Sequence, residues 1–507
     1  MGTWRNNRRA SRRDPAGGTA TPWSSPASTA NLRAWYPDET ASIAAGTDTT
    51  GQYKVANVPN HASASLGGTI AQATAANQPA FSYCKGGKAR IRYNGGVGTS
   101  LISSLAASNY KLLHQFANGA TIAFGFSVTT LGLRNLINTK ATAGTGTGVG
   151  ITIRSESTGE FRVSIGDGTA AESLLTSAVT SISNFFTFIL RMSQTETNKL
   201  EVFVNGISVG ALATLSITPS ASNPGATLNV GVDAGGQRGF LVSPAIWETY
   251  MSNADVAACH AWMTAGYGKE YATLAEIVAD VATLGNVPAE IFSFNASGIV
   301  SNRAAHTATG VSDPAVSTNA SYNNKYVFDC DGLADYYTAH TLSTNMSGTD
   351  KPFAFIFVGN QATTTVTNKT LAASGSSVAL NNQHKRFEYS SGNVMRIVSV
   401  DDAAGSDVDA GATAIGTGAR IVGMGHYGTT ASAWLSLAVI QINEVANDVG
   451  VTTVDRFTLF ALVQAGALAA GTLLDGKAAC LWVWDTKGIN DALYHTIYPA
   501  LAGEFAL

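Results

Sequence analysis

Charge is scarce in this sequence. Only 13% of its 507 residues are Asp, Glu, Lys or Arg, whereas 45% are hydrophobic; ordinary soluble domains carry about 25% charged residues. The surface must therefore be made largely of Ser, Thr, Asn, Gly and Ala. Such a surface suits a chain packed against copies of itself or other subunits, where few charges need desolvating. It equally suits an extracellular β-protein. No run of 18 uncharged apolar residues occurs, so no membrane-spanning helix is expected. The basic N-terminus has no apolar segment behind it and does not read as a secretory signal. Met1-Gly2-Thr-Trp-Arg-Asn6 lacks the Ser or Thr that myristoylation requires at position six. The four cysteines, Cys84, Cys259, Cys330 and Cys480, form no C-x-x-C pair. That spacing argues against metal or redox use and for buried free thiols, as in a protein assembled in a reducing cytoplasm.

Chemistry-bearing motifs are missing too. There is no G-x-S-x-G, no P-loop and no G-x-G-x-x-G after a strand. Ala143-Gly-Thr-Gly-Thr-Gly148-Val-Gly150 lacks the lysine and helix of a phosphate loop and reads as a hairpin tip. Eight histidines are scattered; His260 and His340 have no partner at metal-ligand spacing. Asp329, Asp331 and Asp335 around Gly332 read as turn residues rather than a Ca²⁺ site, which needs six to eight oxygens. Domain one has Arg92 and Asn94 at the positions matching Asp329 and Asp331. Asp401, Asp402, Asp407 and Asp409 read as a solvated loop. No catalytic, cofactor-binding or metal site is expected.

What is present is β-pattern. Runs of five to eight residues rich in β-branched and aromatic types recur between Gly, Asn, Asp and Ser: Ile122–Val128, Gly150–Arg154, Glu160–Ile165, Phe185–Arg191 and Lys199–Val204. This is the signature of an antiparallel sandwich, not of βαβ units. Asp167-Gly168 and Asn205-Gly206 are the strongest hairpin turns. A helix is expected from Ser252, capped with Asp255, with Val256, Cys259 and Met263 on one face and Gly266 at its end. A second is expected from Thr273, with a stripe of Leu274, Ile277, Val278, Val281 and Leu284.

The plan repeats. Asp313-Pro314-Ala315 answers Gln78-Pro79-Ala80, and Lys325 to Gly332 answers Lys88 to Gly95 at an offset of 237 positions. Phe353–Val358 answers Ile122–Val128, Gly418–Gly425 answers Gly225–Gly231, and Trp434–Ile440 answers Phe240–Ile246. The closing helix is expected again from Thr452 to Gly466. Six matches in one order argue for duplication.

Leu32-Arg-Ala-Trp35, Pro79 with Ile91-Arg-Tyr-Asn94-Gly95, Val202-Phe-Val-Asn205-Gly206, Leu228-Asn-Val-Gly231 and Ile246-Trp247 through Tyr267-Gly268-Lys269 together resemble concanavalin A-like, laminin-G-like jelly-roll domains. Such domains occur in tailed-bacteriophage virion proteins and secreted bacterial proteins. The resemblance implies an all-β fold of two tandem antiparallel β-sandwich domains, each with a short closing helix. It implies glycan binding, protein binding or pure structure, and fold does not choose among them. The glycan-cleaving relatives carry a Glu-x-Asp-x-x-Glu strand, which this sequence lacks.

The expected organisation is a basic arm (1–30), a first jelly roll (31–270), a linker helix (271–285), a second jelly roll (286–466) and an aromatic-rich extension (467–507). In the arm, Arg5, Arg8, Arg9, Arg12 and Arg13 against Asp14 give +4 where the whole chain carries −3. With Trp4 these arginines suit docking to another protein, the run being too short to favour nucleic acid. The first expectation is a non-enzymatic virion protein, a capsid decoration or a head or tail appendage. Its partners would be the major capsid or tail protein and further copies of itself, with assembly in the host cytoplasm and no membrane contact. The alternative is a carbohydrate-binding module for host glycans, with Tyr336, Tyr337 and Trp434 as stacking contacts. A weaker alternative is a divergent glycoside hydrolase.

Overall fold

The computed structural model describes residues 31–507 except 38–42, 47–53, 63–67, 86–87, 95–98, 129–131, 179–184, 232–237, 268–270, 282–289, 302–308, 312–314, 334, 340–345, 350, 363–366, 377–382, 402–405, 415, 419, 428–429, 436–440, 447–450, 465–466, 470–471 and 485–490. The arm, with Trp4, Arg5, Arg8, Arg9, Arg12 and Arg13, lies outside the described residues, as does His340.

Two antiparallel β-sandwiches follow one another, and they share a strand order. The front sheet of the first contains β1 (Leu32–Trp35), β2 (Ala80–Cys84), β3 (Lys88–Asn94), β4 (Ala120–Val128), β5 (Phe186–Met192), β6 (Leu200–Val204), β7 (Ile207–Leu212) and β8 (Arg238–Trp247). They lie in the order β7-β6-β5-β4-β8-β3-β2, with β1 on the far half of β8. Helices α1 (Asn253–Tyr267) and α2 (Leu274–Val281) come next. The second front sheet contains β9 (Glu290–Asn295), β10 (Ala315–Asn319), β11 (Lys325–Asp331), β12 (Phe353–Gln361), β13 (Arg420–Tyr427), β14 (Thr430–Leu435), β15 (Gln441–Ala446) and β16 (Asp475–Trp484), followed by α3 (Asp491–Phe505). Its order is β15-β14-β13-β12-β16-β11-β10, with β9 on the far half of β16. Each strand of the first sheet thus has a counterpart in the second. A back sheet faces each front sheet, and these also correspond. Residues 171–175, 161–166, 150–155, 134–138, 229–230, 101–103 and 69–71 run in the same order as 406–414, 394–400, 384–389, 369–375, 456–459, 336–339 and 309–311.

The two central strands explain why a helix follows each. β16 is buried from Ala478 to Trp484 without a break. Ala478, Leu481 and Val483 point into the sandwich core, while Ala479, Cys480, Trp482 and Trp484 point the other way. A strand apolar on both faces needs cover on both. On the outer side Ile497, Ala500, Leu501 and Phe505 of α3 supply it at helical spacing. In the first sandwich Leu241 and Ile246 of β8 face the core, whereas Ala245 and Trp247 meet Val256, Cys259 and Met263 of α1. Burying each such side chain contributes about 1.5–3 kcal/mol.

Local chemistry sets the connections. Asn205 and Gly206 both take positive φ, 52° and 77°, as the expected type I′ hairpin requires. The Ser252 hydroxyl accepts the Asp255 N–H at 3.2 Å and donates to the Asp255 carboxylate at 2.8 Å, which starts α1. Asp167-Gly168 forms a different turn from the one expected. Gly166 pairs with Ala171, leaving a four-residue loop in which Asp167 Oδ1 accepts from Thr169 and Ala170 N–H groups at 2.7 Å. Cys259, Cys330 and Cys480 are buried free thiols, and burial pushes Cys259 and Cys480 up to about 12. The side chain of Cys84 lies outside the described residues.

Three repeat assignments need correction. Residues 452–464 form no helix: Arg456–Leu459 and Val463–Gln464 are strands. Phe457 and Leu459 point inward with period two, and this alternation overrides the cap-like Thr-x-x-Asp pattern before them. Of the expected Gly418–Gly425 segment, residues 420–425 belong to β13, the counterpart of β5, and Trp434 and Leu435 belong to β14, the counterpart of β6. The true counterpart of β8 is β16, with Arg238 and Asp475, and Trp247 and Trp484, each 237 positions apart. That is the offset already visible between Lys88 and Lys325. The closing helix of the second sandwich is α3, of 15 residues like α1.

Because β16 sits at the centre of its sheet, a chain ended at Gly466 should lose the second sandwich. Urea unfolding followed by tryptophan fluorescence should show no cooperative transition for residues 286–466, and limited proteolysis should digest them. A protease-resistant second half in that truncated chain would contradict the assigned role of β16.

Candidate functional site

Among the described residues a cleft of about 340 Å³ opens at one end of the first sandwich. One wall is the segment from Ser108 to Gly119, which leads from the back sheet into β4; the other is Arg33 of β1 and Glu248, the residue after β8. The segment owes its shape to what it buries. Tyr110, Leu113, His114 and Phe116 are enclosed in the fold. The Tyr110 hydroxyl bonds Ser103 Oγ at 2.7 Å and the Tyr36 hydroxyl at 3.1 Å. Phe116 takes a left-handed conformation (φ 33°), held by its N–H to Leu112 O at 3.0 Å and by burial of its ring. Gly119, at φ 81°, passes so close to the next loop that a Cβ there would lie 2.5 Å from Tyr250 N.

This backbone presents polar groups to the cleft: Asn109, Lys111, Gln115 and Asn118 from one wall, Arg33 and Glu248 from the other. Arg33 Nη2 pairs with Glu248 Oε2, and the Asn118 amide donates to Glu248 Oε1 at 3.5 Å. Gln115 Nε2 donates to Ser220 O at 2.8 Å and Asn109 Nδ2 to Ala106 O at 3.1 Å. Each of these amides spends one N–H within the protein and keeps its second N–H and its carbonyl oxygen for a ligand. Two cations and one carboxylate complete the set. Such a lining offers a polar ligand hydrogen-bond donors and acceptors.

The residues singled out in the sequence lie elsewhere. Tyr337 is a core residue: its ring packs on Phe328 at 5.1 Å and on Phe294 and Phe460 at 6.4 Å, and burial pushes its hydroxyl up to about 12. It is not a stacking platform, because alternation on its strand turns it inward. Tyr336, its neighbour, is half-buried. Trp434 lies on β14, paired with Gly423 and Ile442, and its side chain lies outside the described residues. The structure therefore does not bring these three into one surface. Asp329 pairs with Lys477, and Asp331 Oδ1 accepts the Leu333 N–H at 2.8 Å, a turn contact as read from the sequence. Asp407 and Asp409 belong to the strand Ser406–Ala414 rather than a loop, since that segment pairs along 394–400. His260 Nδ1 bonds the Thr187 hydroxyl at 2.7 Å. Sequence reading passed over Lys111, Gln115, Asn118 and Glu248; the spacing of Tyr110, Leu113 and His114 and the Asn118-Gly119 turn were the available signals.

No family model matches the chain, and no curated protein matches it. Solved structures do. The carbohydrate-binding module of the Ruminococcus gnavus IT-sialidase bound to α2,3 sialyllactose is 15% identical, covering 28% of this chain and 83% of that one, with a TM-score of 0.25. Domain 4 of AbnA, an extracellular arabinanase from Geobacillus stearothermophilus in complex with arabinotriose, is 11% identical, covering 45% and 98%, with a TM-score of 0.32. Trypanosoma rangeli sialidase in complex with the inhibitor DANA is 12% identical, covering 45% and 32%, with a TM-score of 0.28. The jelly-roll-like sandwich architecture stands on the strand order described above.

Behind the cleft wall, His114 Nε2 lies 3.2 Å from both Ser220 O and Ser222 O, while its buried Nδ1 has no partner. Burial holds this imidazole below its usual range, against the opposing pull of the two carbonyls. Burial lowers His260 as well. The folded chain therefore stays unprotonated where the unfolded chain takes up protons, and stability falls as pH drops below about 6.5. His114 contributes at most about 1.4 kcal/mol per pH unit, and the more exposed His260 less, because solvent screens it. Urea unfolding at pH 7.5 and 5.5 should show a smaller acid loss in His114→Gln than in the wild type; equal losses would remove His114 from this account.

Proposed function

We propose that this protein is a non-catalytic carbohydrate-binding protein whose first sandwich holds a hydroxyl-rich saccharide in the cleft between Arg33, Lys111, Asn118 and Glu248. The cleft itself carries this reading. Its volume of about 340 Å³ lies at the lower end of the ~300–1,000 Å³ typical of small-molecule sites. Amide, guanidinium, ammonium and carboxylate groups converge there on a backbone held rigid by buried Tyr110, Leu113 and Phe116. Binding would rest on hydrogen bonds rather than on aromatic stacking. A screen of the full chain on immobilised glycans should give saturable binding competed by the free sugar. Lys111→Ala combined with Asn118→Ala should weaken it at least tenfold without changing the melting temperature. Absence of any bound glycan, or unchanged binding in the double variant, would overturn the reading.

A second reading, a structural component of a tailed-phage particle, is favoured by the segregation of charge. Five arginines fall within the first 30 residues of a chain only 13% charged. A basic arm on a weakly charged body suits anchoring to an acidic protein surface. On this reading deletion of residues 1–30 abolishes incorporation into particles, as followed by mass spectrometry of purified virions; undiminished incorporation would eliminate the arm as an anchor. Both roles can belong to one chain.

A further inference from the structure

The outer faces of the two back sheets carry the same charged device. In the first sandwich Arg154 and Arg162 stand opposite each other on strands Gly150–Ser155 and Phe161–Gly166, with Glu156 beside them. Arg154 Nε and Nη2 reach Glu156 Oε1 at 2.9 Å, and Arg162 Nε reaches the same oxygen at 2.6 Å. In the second sandwich the counterpart strands His384–Tyr389 and Val394–Val400 carry Arg386, Glu388 and Arg396. Arg386 Nε lies 2.8 Å from Glu388 Oε2 and Arg396 Nε 3.8 Å from Glu388 Oε1. The Arg-x-Glu pair recurs on strands that occupy the same place in the two sheets, with an Arg on the next strand both times. The neighbours Ile153, Phe161, Val163, Phe387, Met395 and Ile397 all point into the cores, so the forks point away from them.

Two features exceed what a structural ion pair requires. One guanidinium satisfies one carboxylate, and a second half-buried guanidinium adds desolvation cost without a charge to meet it. Each fork keeps that surplus positive charge, and Lys140, whose Nζ bonds Ser164 Oγ at 3.0 Å beside Arg162, adds another in the first sandwich. Glu160, whose carboxylate accepts the Thr158 hydroxyl, offsets one of these charges, so that Arg154, Arg162 and Lys140 against Glu156 and Glu160 still leave one surplus positive charge. The charges are also layered. Side-chain exposure is 19% and 29% for Arg154 and Arg162 against 11% for Glu156, and 16% and 23% for Arg386 and Arg396 against 0% for Glu388. The carboxylates lie beneath, Glu156 holding its fork by hydrogen bonds and Glu388 facing its two arginines by charge alone; the guanidinium ends reach the surface, where their planar donors match an oxyanion.

We propose that Arg154–Glu156–Arg162 and Arg386–Glu388–Arg396 are a duplicated pair of oxyanion sites, each taking the carboxylate or sulfate group of an acidic ligand. Four of these residues, Arg154, Arg162, Arg386 and Arg396, would touch the anion; Glu156 and Glu388 position them. The inference is independent of the cleft and does not use its residues.

Equilibrium dialysis of the full chain with inorganic sulfate, at ionic strength held constant with chloride, tests it. Two saturable sites per chain are expected, one in Arg162→Gln, one in Arg396→Gln and none in the double variant. Competition by D-glucuronate identifies the carboxylate as a ligand; displacement by sulfate alone identifies a sulfated one, and either outcome agrees with the proposal. Should a glutamine variant not fold, Arg162→Lys and Arg396→Lys keep the charge but lose the planar fork, and each should weaken its site at least tenfold. No saturable sulfate or glucuronate binding in the wild type, or a stoichiometry unchanged by these variants, would overturn it. Lys111→Ala, in the cleft, should leave the stoichiometry at two, which separates failure of one site class from failure of the other.

Discussion

Each sandwich depends on a central strand that is apolar on both faces. β8 ends in Trp247 and β16 in Trp484, and both indoles are fully buried on the side away from the sandwich core. A two-layer sandwich would leave that side in water. The third, helical layer is therefore a requirement of the strand. Trp482 shows how closely it is fitted: its indole N–H meets Cys480 Sγ at 3.1 Å, so the one polar atom of a buried ring still has a partner.

The helices do more than cover. α1 is fastened to its sheet by Arg191, whose guanidinium lies 4.8 Å from the Phe203 ring and 4.5 Å from the Tyr250 ring. It also bonds Glu201 at 2.7 Å and Met251 O, just before the helix cap, at 2.8 Å. Removing one partner of a pair so deeply placed leaves an uncompensated charge, which is why such networks hold one geometry. α3 packs on the second front sheet and also reaches β2, β3 and β8 of the first sandwich. Lys85 meets Glu276 at 2.7 Å, Arg90 donates to Tyr267 O at 3.0 Å, and Lys325 pairs with Glu504. A helix demanded by one strand thus also joins the two halves.

Much of the architecture was legible because β-structure writes itself in period two and in turn residues. The runs at Ile122, Gly150, Phe185 and Lys199 became strands, Asn205-Gly206 a type I′ turn and Ser252 a cap. The duplication was legible too, but its alignment in the last third was not. Arg456–Leu459 carries a cap-like prefix that reads as a helix start although the segment is a strand, and the true partner of Trp247 is Trp484. A strand buried on both faces has no alternation to read and resembles any apolar run. The aromatic residues misled for a related reason. Tyr337 could face a sugar or a core, and only its packing on Phe328 decided the matter.

The sequence by itself determined the all-β class, the duplication and the lack of a recognisable catalytic motif, because these follow from periodicity, turn chemistry and composition within short windows. Tertiary structure alone decided what lies together. Arg33 meets Glu248 across 215 positions, and strand pairing sets Arg162 opposite Arg154 and Arg396 opposite Glu388. Such groupings are products of sheet order. Sheet order is set by which apolar faces find cover, and no local pattern encodes that.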